Sequence, residues 1–138
     1  MDALAATLKI ASSGLTAQSS RLRVVSQNLA NTQSTGNTAG ADPYQRKLIN
    51  FTAHLDRAVG VDVVQVDKVT RDDAPYRLVH EPGHPAADEN GYVKYPNVNV
   101  LVEMADMREA NRTYEANLQI MKQANSMIAT TLDLLRSN

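Results

Sequence analysis

The sequence predicts a mainly α chain: two long terminal helices pairing as an antiparallel coiled coil, with a small β and loop insert between them. Apolar residues recur in alternating steps of four and three at both ends, the seam spacing of a coiled-coil helix. The middle abandons that spacing for β-branched runs and turn residues. At 138 residues the chain is long enough for one domain of ordinary size. The expected parts are an N-terminal helix over 1–31, a loop and small β insert over 32–99, and a C-terminal helix over 100–138. Chain reversal inside the insert would bring the two helices together.

In the first helix the seam runs through Leu4, Leu8, Ala11, Leu15, Gln18, Leu22, Val25 and Leu29. Asp2 is the expected N-cap. Gly14 is a weak point, about 1 kcal/mol worse than Ala in an exposed helix. The pattern stops near Asn31, where Thr, Ser, Gly and Asn take over.

Residues 32–42 are polar and Gly-containing, and are expected to be mobile in a free subunit. Val61–Val69 is rich in β-branched residues, and Pro75–Val79 and Tyr92–Tyr95 are two shorter strand candidates. Asn90-Gly91 is a turn signal before the last of these. Pro82, Gly83, Pro85, Gly91 and Pro96 punctuate the region.

The C-terminal seam is longer: Met104, Met107, Asn111, Tyr114, Leu118, Met121, Asn125, Ile128, Leu132 and Leu135 keep the same steps without a slip. Ile120, Met127 and Leu134 widen the stripe at seven-residue intervals. Asn97 or Asn99 is the expected cap, just after Pro96. Helical from about 100 to 135, this element would be roughly 50 Å long, unusual inside a small globule. Asn111 and Asn125 either fix register from within the seam or lie at its margin.

Composition bounds the rest. With one Phe, five Tyr and no Trp, a core must lean on Leu, Val, Ile and Met, and partners would complete its stability. A net charge of -1 makes no electrostatic case for nucleic acid or an anionic membrane. Cysteine is absent, which excludes disulfides and thiolate metal sites. The N-terminus lacks the basic and apolar regions of a cleaved secretory signal, and no apolar run approaches the ~20 residues that span a bilayer.

Charge placement is more telling. Between Ala3 and Asn31 the charged residues are Lys9, Arg21 and Arg23; between Thr113 and Leu132 they are Glu115 and Lys122. Solvated helix faces are usually richer in Lys and Glu, and interface cores are charge-depleted. The weakly charged faces therefore predict contact on more than one side. The amides Gln18, Gln27, Asn28, Asn31, Asn111, Asn117, Gln123 and Asn125 are the candidate contacts between subunits.

His80-Glu81-Pro82-Gly83-His84 matches the zinc-protease pattern H-E-x-x-H, in which a helix puts both histidines on one face. Pro in a helix interior costs about 3 kcal/mol and Gly about 1, so the middle residues weigh against the helix the motif requires. A solvated loop with two histidines is the expectation. Asp72-Asp73 reads as a solvated turn, since calcium loops need several spaced oxygen ligands. No phosphate loop or nucleophile elbow is present. The expectation is no catalytic residue, no metal and no cofactor. A soluble coiled-coil adaptor and a zinc hydrolase are the competing readings.

Three stretches resemble the flagellar rod and hook family. Gly14-Leu15-Thr16-Ala17-Gln18 leading to Ser26-Gln27-Asn28-Leu29-Ala30-Asn31 is similar to the N-terminal signature of its axial proteins. Many relatives then make a short Thr-Pro-Gly-Tyr turn; here residues 32–42 intervene before Pro43-Tyr44-Gln45-Arg46-Lys47, as in proximal rod subunits. Glu81-Pro82-Gly83, Pro85, Asp88 and Gly91-Tyr92-Val93 resemble a second motif of that type. Tyr95-Pro96-Asn97-Val98-Asn99, Glu103-Met104 and Arg112–Asn117 look like the entry to the family's last helix.

The resemblance implies a non-enzymatic structural subunit of the rod, the drive shaft that carries motor torque to the hook and encloses the export channel. It implies export without a cleaved signal by the flagellar type III apparatus, and polymerisation in the periplasm. The implied partners are copies of itself, other proximal and distal rod proteins, and the rod-base adaptor, with no nucleic acid and no membrane insertion. The expected intrachain seam is Leu4, Leu8, Leu15, Leu22, Val25, Leu29, Met104, Met107, Tyr114, Leu118, Met121, Ile128, Leu132 and Leu135.

Overall fold

A computed structural model describes residues 2–138. Two long helices flank four strands: α1 (Asp2–Ala30), β1 (Lys47–Asp56), β2 (Val61–Arg71), β3 (Arg77–His80), β4 (Tyr92–Tyr95) and α2 (Val100–Arg136). The side chain of Asp2, the expected cap of α1, lies outside the described residues. At α2 the cap is Asn99, whose Oδ1 accepts from the Leu101 and Val102 amides at 3.1 and 3.4 Å.

The strands form two separate two-stranded sheets, β1-β2 and β3-β4. β3 and β4 are antiparallel, with Val79 opposite Val93 and His80 opposite Tyr92. The β1-β2 turn closes with the Gly60 amide on the Asp56 carbonyl at 2.8 Å, and Gly60 takes φ 71°. β1 had no counterpart in the sequence reading. Like β2, it has no buried side chain, and it lacks the β-branched run that marks β2.

The chain forms two compact units, and each helix contributes to both. The first comprises Met1–Leu22, Asn50–Lys68 and Arg108–Asn138. Within it Ala11, Ala17, Ala110 and Ala124 are buried. Gly14 is buried against Asn117: a Cβ built on Gly14 would sit 2.7 Å from Asn117 Nδ2. Arg21 pairs with Glu109 at 3.5 Å, and Lys9 with Asp56 at 3.4 Å.

The second unit comprises Arg23–Ile49 and Val69–Met107. Its apolar centre is Ala86, Val93 and Tyr95, with Val79 and Ala87 packed against them. Gly91 takes φ 84°, and a Cβ there would press on His80 and Pro82 at 3.1 Å. Residues 32–42, expected to be mobile in a free subunit, make contacts with the rest of this unit. Tyr44 N donates to Ser34 O at 2.9 Å, Gly40 N to Ala86 O at 3.1 Å, and Lys94 pairs with Asp42 at 3.0 Å.

The expected core composition also needs correction. Among the described residues the buried apolar side chains are Ala and Val, with Tyr95, Pro43 and Pro96; no Leu, Ile or Met joins them. Small side chains let backbones approach, and the larger ones then flank the contact rather than fill it.

Candidate functional site

The end of α1 carries the most connected polar group of the second unit. Asn28 is 1% exposed. Its Oδ1 accepts from the Tyr44 hydroxyl at 2.7 Å and from the Lys47 amide at 2.9 Å. Its Nδ2 donates to Lys47 O at 3.0 Å and to Glu103 Oε2 at 3.4 Å. An amide side chain offers two donors and two acceptor sites, and all four are in use.

Glu103 is 0% exposed, on the first turn of α2. Its other oxygen, Oε1, accepts from Arg46 Nε. Arg46 reaches on to Asp72 Oδ2 at 3.1 Å, and its own amide donates to Asn97 Oδ1 at 2.8 Å. Asn97 Nδ2 donates to the carbonyls of Asp72 and Ala74, both at 3.0 Å. So α1, the 43–47 segment, the end of β2 and the start of α2 share one hydrogen-bonded network. A buried carboxylate survives only when paired and fully bonded, as this one is.

The charges act on their neighbours. Burial works against the Arg46 guanidinium's proton, but the bonds to Glu103 and then Asp72 outweigh it and hold its pKa above the ordinary value. Burial first, and then the Glu103 charge, raise the Tyr44 phenol, with Arg71 partly opposing. The Ala74 amide, ahead of Arg46, holds Asp72 below the usual carboxylate range.

The Glu81–Val93 motif builds the β3-β4 turn. The Tyr95 hydroxyl donates to both Glu81 oxygens at 3.1 and 3.0 Å, which raises the Tyr95 pKa. Asp88 Oδ1 accepts from the Asn90 and Tyr92 amides at 2.9 Å. His80 ends β3 edge-on to Tyr92. His84 is half-buried in the turn rather than solvated, and its Nδ1 accepts from the Ala86 amide. The two histidines therefore lie on a strand and a turn, not one helical turn apart.

Of the expected seam, Val25 is buried. Leu4, Leu8, Leu15, Leu22, Leu29, Met107, Tyr114, Leu118, Met121 and Ile128 are half-buried. Met104, Leu132 and Leu135 are exposed instead. On α2 the buried positions are Glu103, Ala110 and Ala124, one residue before Met104, Asn111 and Asn125. The fully buried positions on α2 are thus two alanines and an acid rather than the large apolar residues of the expected seam.

The expected contact amides divide. Gln123, Asn111 and Asn125 are exposed, and Gln18 and Gln27 half-buried. Asn28 is turned inward, as described. Asn31 is engaged within the chain by Gln27 O at 2.8 Å and by the Ser34 hydroxyl at 2.9 Å, and Asn117 lies against Gly14. Sequence reasoning missed Arg46, Asp72 and Glu103; the one available signal was a lone acid in the first turn of an otherwise apolar helix start.

Comparison with known proteins decides the family. Residues 8–41 match the family described as flagella basal body rod protein, and residues 89–134 the C-terminal family of the flagellar basal body rod FlgEFG proteins. The flagellar basal-body rod protein FlgC of Agrobacterium fabrum is 56% identical over 138 residues, covering 100% of this chain and 99% of that protein. The chain belongs to the FlgC family of flagellar basal-body rod proteins. FlgC of Salmonella typhimurium is 43% identical over 91% of this chain and 92% of its own length. FlgC of Borreliella burgdorferi is 36% identical over 96% and 98%. The two matched family segments hold most of α1 and of α2; β1, β2 and β3 lie between them. The Asn28–Glu103 bond joins one matched segment to the other.

Proposed function

We propose that this chain is a structural, non-enzymatic subunit of the flagellar proximal rod. It polymerises with copies of itself and with other rod proteins into the drive shaft that carries torque to the hook and surrounds the export channel. The observation that carries this is the 56% identity with a FlgC protein over the full length of both chains. The subunit reaches the periplasm through the flagellar type III apparatus and meets the rod-base adaptor. Among the described residues no helix is long and apolar enough to cross a membrane.

In this reading α1 and α2 are the coiled-coil core, 1–31 and 100–138, running antiparallel, and 32–99 is the insert. Support comes from the pairing of Arg21 with Glu109 and of Gly14 with Asn117 in the first unit, since the partners run in opposite chain directions. Val25, Leu118, Met121 and Ile128 lie along the seam. The neighbours contact Gln123, Asn111 and Asn125, together with the exposed stripe of Ile120, Met127 and Leu134. Repeated non-closing contacts of one subunit on the next generate a helical assembly.

An in-frame deletion with plasmid rescue tests the role. Non-motile cells with incomplete rods by electron microscopy, restored by the plasmid, are expected. Motile deletion cells with normal rods would overturn it.

A further inference from the structure

Among the described residues, four turns outside the helices close by the same device: a side chain accepts a hydrogen bond from the backbone amide two residues on. In three the acceptor is an aspartate oxygen. Asp56 takes the Ala58 amide, Asp72 the Ala74 amide and Asp88 the Asn90 amide, each at 2.9 Å. In the fourth the acceptor is an imidazole nitrogen: His84 Nδ1 takes the Ala86 amide at 3.0 Å.

The exchange of carboxylate for imidazole changes the chemistry of the turn. A neutral imidazole has one acceptor nitrogen; an imidazolium has none, and both its nitrogens donate. Protonating Nδ1 would set an N–H against the Ala86 N–H. Ala86 is 1% exposed in the small apolar centre with Val93 and Tyr95, so its amide has no water to turn to. The carbonyl of Ala86 meanwhile holds the Gly40 amide at 3.1 Å, which ties residues 32–42 to this turn. A carboxyl group keeps an acceptor oxygen in either protonation state, whereas histidine is the side chain that changes charge near neutral pH.

We infer that His84 is a protonation-sensitive latch. With Nδ1 bare it closes the turn and, through Ala86, holds residues 32–42; as imidazolium it releases both. The charged and titratable groups on the surrounding elements are Arg77 and His80 on β3, Glu81 and Asp88 in the turn, Tyr92, Lys94 and Tyr95 on β4, and Asp42 on the held segment. Glu81 already accepts from Tyr95, Arg77 lies 5.1 Å over the Tyr95 ring, and Lys94 is paired with Asp42. None of them offers the Ala86 amide another acceptor in these contacts.

The test is amide hydrogen exchange at Ala86 and Gly40, by NMR on the purified full chain at pH 7.5 and 5.5, corrected for intrinsic exchange. The wild type is expected to lose about five-fold or more of its protection at the lower pH, the worth of one hydrogen bond. His84→Asn, whose Oδ1 supplies an acceptor that does not titrate, should stay protected at both. His84→Ala should be unprotected at both, and His80→Asn should behave as wild type. Parallel loss in His84→Asn and wild type would overturn the latch. So would full protection in His84→Ala at pH 7.5, or a pH response abolished by His80→Asn.

Discussion

The Glu103 carboxylate, fully buried, holds the Asn28 amide on one oxygen and the Arg46 guanidinium on the other. Removing the acid takes one of its two carboxylate partners from the half-buried Arg46 and leaves an Asn28 donor without its acceptor. Glu103→Ala should therefore destabilise the chain by about 3–5 kcal/mol, read as a lower urea midpoint. Glu103→Leu combined with Arg46→Met should lose less than Glu103→Leu alone. A double variant worse than the single would show that the pair is not what the site depends on.

Asn28→Ala removes four hydrogen bonds and leaves the Lys47 amide and carbonyl without that partner. The expected loss is about 2–3 kcal/mol. Asn28→Asp keeps the acceptors, but it loses both donors and sets a second carboxylate beside Glu103, so it should be at least as damaging. Denaturant unfolding of the two variants side by side checks the order.

Gly14 and Asn117 should be coupled. Glycine to alanine in a helix is usually worth about 1 kcal/mol of stability, but a Cβ at position 14 meets the Asn117 side chain. Gly14→Ala should fail to gain that increment in the wild-type background and recover it alongside Asn117→Ala. Additive effects in the thermal unfolding of the four proteins would contradict the contact.

Asp72 and Asp56 set the acid limit. The Ala74 amide first, and then Arg46, lower the Asp72 pKa; for Asp56 the Ala58 amide leads, with Lys9 adding to it. Carboxylates with folded pKa values below their unfolded ones stabilise the fold above the unfolded value, near pH 4, and lose that contribution as pH falls through the folded value. Stability should drop below about pH 4, and Asp72→Asn should flatten the drop while lowering stability at neutral pH. An unchanged acid profile would remove Asp72 from the explanation.

Ile120, Met127 and Leu134 are exposed on α2. Met127→Glu and Gln123→Glu should leave helix content by circular dichroism unchanged yet fail to restore motility to a deletion strain. Full rescue would show that this face meets nothing.

The two helices were legible by their periodicity, and β2, β3 and β4 by β-branched runs and flanking turn residues. β1 was not, since it carries two β-branched residues where β2 carries six. Large apolar side chains mark a stripe, but Ala110, Ala124 and Gly14 are the buried positions, and small residues carry little hydrophobic signal. Asn28 stood out as part of a motif, yet its role inside the chain depends on Arg46 and Glu103, 18 and 75 positions away in sequence. No spacing rule connects such residues; only the folded second unit does.

The most direct test of the chain as a rod subunit is mass spectrometry and cryo-electron microscopy of basal bodies purified from wild-type cells. A rod subunit predicts the chain among the purified components, with density for the 37-residue α2 and the Asn28–Glu103 contact in the wall of the proximal rod. Basal bodies with complete rods that lack the chain would contradict it.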